Sequence, residues 1–413
     1  MSHAPLRVAV LGAGTVGREV VRELRSLAGF ELVGVAVRDL DRARDDGLPR
    51  DLLTDAPAHL VAAPDTDVIV ELMGGDEPAR TLVAAALGAG KSVVTANKHV
   101  LAHHGASLEA IARRSGAALR FEAAVGGGIP VLGPLAADLA ANRMTRVRGI
   151  VNGTTNHILS AMATQGQTYE TALREAQEDG YAEADPAGDV EGDDAVNKVV
   201  ILARLAFGAW ADPAAVRRRP PSLRGVGGPG ITGVTAAEVD GAAALGLTLR
   251  LIARAERTGS EAIALSVLPT ALPAGSSLGA TAGVRNRIEL EGRPVGTIGL
   301  DGLGAGGAAT SSAVVGDLLA VARGAGSTWA ALPLAVALGA RAAHDGLDEA
   351  RPWFVLLPGT AEGPVVRRVA EATASVPGGL AVRTKPIGLE ALRRRLAERA
   401  PESLDAPLYP VDA

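Results

Sequence analysis

The chain has 413 residues, of which 47% are apolar, and a formal net charge of −5. This length and composition predict a globular protein of two or three domains, and the charge leaves no broad basic field for binding nucleic acid. The chain has no cysteine, which excludes disulfides, thiolate zinc sites and any catalytic intermediate on a cysteine sulfur.

Two further features bear on location and chemistry. A strand-like run begins at Leu6 and no stretch reaches the roughly 18 apolar residues of a membrane helix, so we expect a soluble, cytoplasmic protein. Lysine is rare, because only Lys91, Lys98, Lys198 and Lys385 occur among 41 basic residues. A lysine amine can lose its proton near neutral pH when its surroundings lower its pKa, whereas a guanidinium effectively cannot.

The N-terminal segment has the pattern of a dinucleotide site. An apolar run over residues 6–11 leads into a glycine-rich turn and then into helical patterning over residues 18–26. The turn consists of Gly12, Ala13, Gly14, Thr15, Val16 and Gly17. Glycines at this spacing let the backbone approach a pyrophosphate at the helix N-terminus. The segment therefore predicts that these residues bind a nicotinamide dinucleotide.

Arg38 follows the second predicted strand, residues 30–37, where an acidic residue would bind the ribose hydroxyls of NAD. An arginine at this place can pair with a 2′-phosphate, which favours NADP. Asp39 comes directly after it and keeps NAD open, and an exposed loop charge is the alternative interpretation of Arg38.

The alternation continues with a strand, a helix and a strand over residues 67–72, 78–87 and 92–95. Parallel strands alternating with helices predict a Rossmann-type doubly wound sheet, with ligands at the carboxyl ends of its strands. Thr95 and Lys98 lie at such an end and are candidates for the nicotinamide or substrate region, although Lys98 also fits a solvated helix start. His99, His103 and His104 are interpreted as surface histidines, since no partner ligand lies near them in sequence.

The middle of the chain offers two polar loops. An apolar run ends in Gly126, Gly127 and Gly128, a loop that can cradle an ion or serve as a hinge between domains. A predicted strand over residues 147–151 is followed by Asn152, Gly153 and Thr154 at a helix start. This second loop is a turn with an N-cap, and it also offers donors to a small polar substrate.

A dense acidic stretch precedes Lys198. Its members are Glu183, Asp185, Asp189, Glu191, Asp193 and Asp194. Asp194 and Lys198 are four apart on a predicted helix and share a face. Burial and the helix N-terminus lower the pKa of Lys198 while the carboxylates raise it, a balance that suits a general acid/base. The alternative is a surface salt bridge, but the apolar residues 199–202 favour a buried helix.

Residues 245–300 predict a β-rich domain with a hairpin between residues 288–290 and 295–300. Gly304, in a glycine-rich loop before a helix over residues 313–323, is a candidate cofactor contact or an ordinary loop glycine. The last 60 residues form a small α+β appendage. Its predicted strands are residues 353–357 and 380–384, and its predicted helices are residues 364–372 and 389–399.

Taken together, the motifs resemble those of homoserine dehydrogenase. In chain order they are GAGTVG, VVTANK, EAAVGGGIP, GIVNGTTN, GYAEADPAGDVEGDDAVNKVVILA and GLGAGG followed by TSSAVV, within residues 6–325. The resemblance implies NAD(P)-dependent hydride transfer between L-homoserine and L-aspartate 4-semialdehyde, in threonine, methionine and isoleucine biosynthesis. It also implies a homodimer or higher homo-oligomer that associates through the β-rich domain.

The resemblance further implies site residues, carried over by position. Lys198 would transfer the hydroxyl proton, helped by Lys98 and Asp194. Substrate contacts would come from Glu183, Asp189, Gly153 and Thr154. A Na⁺ or K⁺ ion would bind, mainly through backbone oxygens, to Glu122, Val125, Gly127 and Ile129.

Three segments are expected. Residues 1–135 form an NAD(P)-binding Rossmann domain completed by residues 303–345, and residues 136–302 form a catalytic and dimerisation domain. Residues 350–413 are either a degenerate ACT-like module or an unrelated appendage, because the family's Asp-x-Pro-Gly turn is missing. The alternative functions are an NADP-linked reductase of another small amino-acid aldehyde and a non-catalytic cofactor-binding sensor.

Overall fold

A computed structural model of the chain describes residues 4–45, 47–258, 262–337, 343–359, 363–397 and 405–412. Parts of the predicted segments 303–345 and 350–413 lie outside this description, as do residues 398 and 399 of the last predicted helix. Within the described ranges, no helix combines the length and apolar character needed to span a bilayer.

The N-terminal sheet is parallel, with the strand order β3-β2-β1-β4-β5-β6. Its strands are β1 (Leu6–Leu11), β2 (Phe30–Ala36), β3 (Leu53–Thr54), β4 (Val68–Glu71), β5 (Ser92–Thr95) and β6 (Leu119–Arg120). The helices along it are α1 (Thr15–Leu24), α2 (Leu40–Asp45), α3 (Pro57–Ala62), α4 (Ala79–Gly88) and α5 (Lys98–Ser115).

Both faces of this sheet are covered, as a parallel sheet requires. Val8 and Val10 of β1 pack into one core, and Ala9 and Leu11 pack into the other. The strand order reverses between β1 and β4, which opens a crevice at the carboxyl ends of these strands. The predicted doubly wound sheet is confirmed.

The central sheet is mainly antiparallel, with the order β12-β11-β7-β9-β10-β14. Its strands are β7 (Arg143–Ile150), β9 (Leu247–Thr258), β10 (Ala262–Pro273), β11 (Arg285–Arg293), β12 (Gly296–Leu303) and β14 (Ala343–His344). A separate short pairing joins β8 (Ala209–Trp210) to β13 (Val336–Ala337). The predicted hairpin is present as β11 and β12.

Helix α10 is the central helix of this second region. The helices of this part are α6 (Leu132–Ala136), α7 (Gly153–Gln165), α8 (Tyr169–Glu178), α9 (Ala187–Val190), α10 (Asp193–Phe207) and α11 (Ala236–Ala244). Val199, Val200 and Ile201 are successive and fully buried, so α10 is enclosed on several sides. Lys198 is therefore held on a rigid, buried element.

After β12 the chain returns to the N-terminal domain through α12 (Gly307–Ala322). Helix α12 lies so close to α1 that a Cβ on Gly307 would come within 2.9 Å of the Thr15 carbonyl oxygen. The Ser311 hydroxyl donates to Glu23 of α1 at 3.0 Å. This return brings the β12–α12 loop beside the glycine-rich turn.

The C-terminal residues form a β-α-β-β-α-β unit with the sheet order β16-β17-β15-β18. Its elements are β15 (Trp353–Leu357), α13 (Pro364–Val369), β16 (Ala370–Val376), β17 (Gly379–Thr384), α14 (Leu389–Ala397) and β18 (Tyr409–Pro410). This is the split βαβ arrangement of ferredoxin-like modules. The predicted helix over residues 364–372 is wrong at its end, because residues 370–372 begin β16, an edge strand whose Ala, Glu and Thr residues lack an apolar alternation.

The C-terminal tail ties this module to the central sheet. Asp412 lies 2.7 Å from Arg148, 3.3 Å from Arg254 and 3.5 Å from Arg146, and its side chain is only 8% exposed. The Asp412 backbone amide donates to the carbonyl oxygen of Ala271 in β10 at 3.0 Å.

Candidate active site

The glycine-rich turn has the geometry that a pyrophosphate needs. Gly12 has φ +97°, and a Cβ there would lie 2.7 Å from the Leu72 carbonyl oxygen, while a Cβ on Gly17 would collide with the Gly12 carbonyl oxygen. Gly14 precedes α1 and faces open space. Glycine is therefore required by backbone shape at Gly12 and by close packing at Gly17, and the N-terminus of α1 is free to receive an anion.

A cavity of about 710 Å³ lies between the two domains, next to this turn. Its predicted site residues are Val16, Lys98, Gly127, Gly153, Thr154, Glu183, Asp189, Asp194, Lys198 and Gly304. It is also lined by residues that the sequence did not single out as site residues, namely Ala96, Ala123, Ala124, Asn152, Gly180, Tyr181, Val284, Leu303, Ala305, Gly306 and Thr310. Residues up to 294 positions apart, Val16 and Thr310, therefore meet at one space.

The other predicted cofactor residues lie around this cavity rather than along it. Arg38 is exposed just after β2, separated from the strand by Val37, at the edge where the adenosine end of a dinucleotide would reach. Thr95 is buried, and its hydroxyl donates to a Glu71 carboxylate oxygen at 2.6 Å. The Thr95 side chain is thus bound within the protein and does not face the cavity.

Lys198 is a buried amine at the cavity wall. Its side chain is 9% exposed, and its Nζ donates to the Val151 carbonyl oxygen at 2.7 Å and to Asp194 Oδ2 at 2.7 Å. Val151 directly follows β7, so the end of a central strand and a buried helix together fix this amine. The i,i+4 pair predicted from the sequence is present, and it is buried rather than exposed.

Asp194 also binds a second lysine. Its Oδ1 lies 2.6 Å from Nζ of Lys98, whose side chain is 43% exposed. Lys98 is the first residue of α5 in the N-terminal domain, whereas Asp194 and Lys198 belong to α10. One buried carboxylate thus joins two amines that come from different domains.

The charges of this cluster shift its pKa values in different directions. Burial lowers the pKa of Lys198, Lys98 lowers it further, and Asp194 opposes both. The charge of Asp194 raises the pKa of Lys98 against the effect of burial. Burial alone would raise the pKa of Asp194, but the two lysines outweigh it and hold the pKa well below its usual range. Lys198 is therefore the amine more ready to lose a proton.

Asn152 organises the carboxylates, whereas the sequence suggested a turn, an N-cap and donors for a small polar substrate. Its side-chain amide donates to Asp189 Oδ1 at 2.7 Å and to Asp194 Oδ2 at 2.8 Å. Its side-chain oxygen accepts from the Thr155 backbone amide, as an N-cap does. Thr154 donates to Asp189 Oδ2 at 3.0 Å. Asn152 thus both caps α7 and binds two carboxylates. Those carboxylates lie about 40 positions away in the sequence, so no local pattern predicts these contacts.

Glu122 has its carboxylate engaged by the protein itself. It accepts hydrogen bonds from the backbone amides of Val131, Leu132 and Gly133 at 2.7, 2.8 and 2.6 Å. Burial raises the pKa of Glu122, and these three amides oppose that effect. Among the described residues, no group of His, Asp and Glu has the arrangement of a metal site. Any cation at this loop would therefore rely on backbone oxygens.

Comparison with known proteins identifies the family that this architecture matches. One family model, homoserine dehydrogenase, matches residues 130–319, and another, the NAD binding domain of homoserine dehydrogenase, matches residues 12–122. A homoserine dehydrogenase of Mycobacterium tuberculosis is 45% identical over 332 residues, covering 77% of this chain and 73% of that protein.

Solved structures agree with this match. A homoserine dehydrogenase from Thiobacillus denitrificans has a TM-score of 0.87 and 32% identity, over 99% of this chain and 98% of that chain. A hyperthermophilic archaeal homoserine dehydrogenase in complex with NADPH has a TM-score of 0.63 and 27% identity, over 76% of this chain and 97% of that chain.

Proposed function

The chain belongs to the homoserine dehydrogenase family of NAD(P)-dependent oxidoreductases, and from this membership we propose that Lys198 is its general acid/base. The reaction interconverts L-homoserine and L-aspartate 4-semialdehyde. The observation that carries the proposal is a buried amine at the cavity wall whose pKa is lowered by burial. An amine that exchanges its proton near the working pH is what this chemistry requires.

In the oxidation of homoserine, neutral Lys198 accepts the hydroxyl proton, and in the reverse direction protonated Lys198 returns it to the aldehyde oxygen. A nicotinamide bound in the crevice supplies or accepts the hydride. The 2.7 Å contacts to the Val151 carbonyl and Asp194 hold the Lys198 amine in place. Lys98 stays protonated beside Asp194 and stabilises negative charge on the substrate oxygen as the proton moves.

We propose that the acidic residues of the cavity hold the amino end of the substrate. Glu183 and Asp189 both line the cavity, and Asp189 is fixed by Asn152 and Thr154. The N-terminus of α7 lies at the same cavity, which Gly153 and Thr154 line, and a helix N-terminus suits the substrate carboxylate. Opposite charges at the two ends would select an amino acid over an uncharged aldehyde or alcohol.

We infer that NADP is the preferred cofactor and that Arg38 binds its 2′-phosphate. The exposed guanidinium just after β2 supports this, whereas the glycine turn, whose geometry fits a pyrophosphate, suits NADP and NAD alike. The archaeal homoserine dehydrogenase in complex with NADPH is consistent with it.

We also propose that a Na⁺ or K⁺ ion binds the loop after β6 through backbone oxygens of Glu122, Val125, Gly127 and Ile129. The support is chemical: the Glu122 carboxylate is already bound by three amides, and a monovalent ion is well served by carbonyl oxygens. The ion would then order the loop at the cavity rather than take part in proton transfer.

The decisive experiment replaces Lys198 with alanine and follows absorbance of the reduced cofactor with homoserine and NADP⁺ or NAD⁺. We expect kcat to fall at least about 10³-fold with the dissociation constant of NADPH nearly unchanged. Lys385→Ala is the matched control, since Lys385 is exposed in the C-terminal module. A Lys198→Ala variant with a rate near that of the control would refute the assignment.

A further inference from the structure

Glu71 is a fully buried carboxylate that the proposed chemistry does not use. It ends β4, is 0% exposed and does not line the cavity. No lysine or arginine pairs with it among the residues that the structure describes, although buried carboxylates rarely occur without such a partner. Burial raises the pKa of this carboxyl, and its hydrogen bonds oppose that effect. A buried carboxyl group without a charged partner is energetically unfavourable, so its presence here indicates a specific role.

The hydrogen bonds of Glu71 converge from the strand next to it and from the loop after it. The Thr95 hydroxyl donates at 2.6 Å, the Met73 backbone amide at 2.8 Å and the Asn97 side-chain amide at 3.5 Å. The Met73 backbone amide and the Asn97 side-chain amide can only donate, so each needs an acceptor oxygen, which the Glu71 carboxyl group supplies. A carboxylate also makes stronger hydrogen bonds than a neutral acceptor.

These partners flank the part of the chain that reaches the cavity. Ala96 and Lys98 line the cavity, while Thr95 and Asn97 on either side of Ala96 are buried and turned inward. The Asn97 backbone amide donates to the Thr95 hydroxyl oxygen at 2.9 Å. The Asn97 side chain accepts from the Val100 amide at 3.1 Å, which caps α5. Glu71 thus anchors the first turn of α5 to the sheet.

The same carboxylate anchors the loop that supports the glycine turn. Asn97 donates to the Gly75 carbonyl oxygen at 2.9 Å, and Glu71 itself binds the Met73 amide. The Leu72 carbonyl of this loop lies where a Cβ on Gly12 would clash, so the loop packs directly on the turn. Glu71 therefore holds both the start of α5, which carries Lys98, and the loop after β4, which supports the glycine turn.

We propose that Glu71 is a positioning residue for Lys98: through Thr95 and Asn97 it fixes the start of α5, so that the Lys98 amine stays beside Asp194 and aims at the reacting oxygen. The inference rests on the proposed function of Lys98. A displacement of about 1 Å at a catalytic group is enough to lower a rate by up to 100-fold, so a small change at a buried anchor has a measurable effect.

The test uses Glu71→Gln and Thr95→Val in the full chain, each alone and combined with Lys98→Ala. Gln keeps the shape of Glu71 but turns one acceptor oxygen into a donor facing Thr95, and Val keeps the shape of Thr95 without its hydroxyl. We expect each single variant to lower kcat about tenfold. In the Lys98→Ala background, either change should alter kcat by less than about twofold, because the group it positions is gone.

Glu238→Gln is the matched control, since Glu238 is also a buried carboxylate but caps α11 away from the cavity. We expect it to keep kcat within about twofold. Wild-type kcat in both Glu71→Gln and Thr95→Val would overturn the inference, as would an undiminished tenfold loss in the Lys98→Ala background. If Glu71→Gln fails to fold, the comparison of Thr95→Val alone with Thr95→Val combined with Lys98→Ala decides the question. If Lys98→Ala itself keeps wild-type kcat, the proposed function of Lys98 fails first, and this inference falls with it.

Discussion

Replacing Asp194 with asparagine tests the charge balance around Lys198 directly. Asparagine keeps the size of the side chain and a hydrogen-bond acceptor, but it removes the negative charge that lies 2.7 Å from the Lys198 amine. Two unit charges about 4 Å apart at an effective dielectric constant near 20 attract by about 4 kcal/mol, and about 1.4 kcal/mol corresponds to one pH unit. Without Asp194, only the smaller effect of Asp189 opposes burial and the charge of Lys98, so the pKa of Lys198 falls further.

The assay is the pH profile of kcat/KM for homoserine oxidation, which requires neutral Lys198. The limb that rises with pH reports loss of the proton from the free enzyme. We expect Asp194→Asn to move this limb to lower pH by more than about one unit, with kcat reduced at least about tenfold because Lys98 and Lys198 lose their shared anchor. Lys385→Ala should leave the limb in place. A limb that stays where it is, or that moves to higher pH, would refute the proposed coupling.

Two further variants test the cofactor and the C-terminal tail. Arg38→Ala should raise KM for NADP⁺ about tenfold or more and change KM for NAD⁺ less than twofold, and equal changes would contradict a 2′-phosphate contact. Asp412→Asn should lower the free energy of unfolding at pH 7 by about 2 kcal/mol, since three arginines hold the pKa of Asp412 down although burial raises it. A carboxyl group whose pKa is lower in the folded than in the unfolded protein stabilises the fold at pH values above its unfolded pKa. The difference in unfolding free energy between the variant and the wild type, measured by denaturant titration, should therefore shrink below about pH 4. A difference that stays constant would contradict this prediction.

The fold was largely predictable because its elements carry local signals. The apolar strand, the glycine turn and the helix after it follow one another in sequence, and each has a period or spacing that a single pass can recognise. Strand β16 was missed because Ala370–Val376 is an edge strand of small and polar residues, and its pairing with β17 outweighs the helical preference of Ala and Glu. The conformation of residues 370–376 was therefore decided by pairing with another strand and not by their own sequence.

The contacts of the candidate site likewise divide into those that a local sequence pattern predicts and those that it does not. Asp194 and Lys198 are an i,i+4 pair, so their contact followed from helical spacing. The contact of Asp194 with Lys98 joins residues 96 positions apart, and that of Asn152 with Asp194 spans 42, so neither follows from any local pattern. Thr95 shows the opposite case: its place at a strand end suggested a cofactor contact, but its hydroxyl is bound to Glu71.

The two lysines of the site are not interchangeable, and the structure gives the reason. Lys98 is partly exposed and its pKa is raised by Asp194, so it remains a cation, whereas Lys198 is buried and its pKa is lowered. An arginine at position 198 could keep the ion pair with Asp194 but could not give up its proton. In a chain that uses arginine for 37 of its 41 basic residues, a lysine at the buried end of this pair is what proton transfer demands. Asp194 then has two effects: it raises the pKa of Lys98 so that this lysine stays charged, and it limits how far the pKa of Lys198 is lowered.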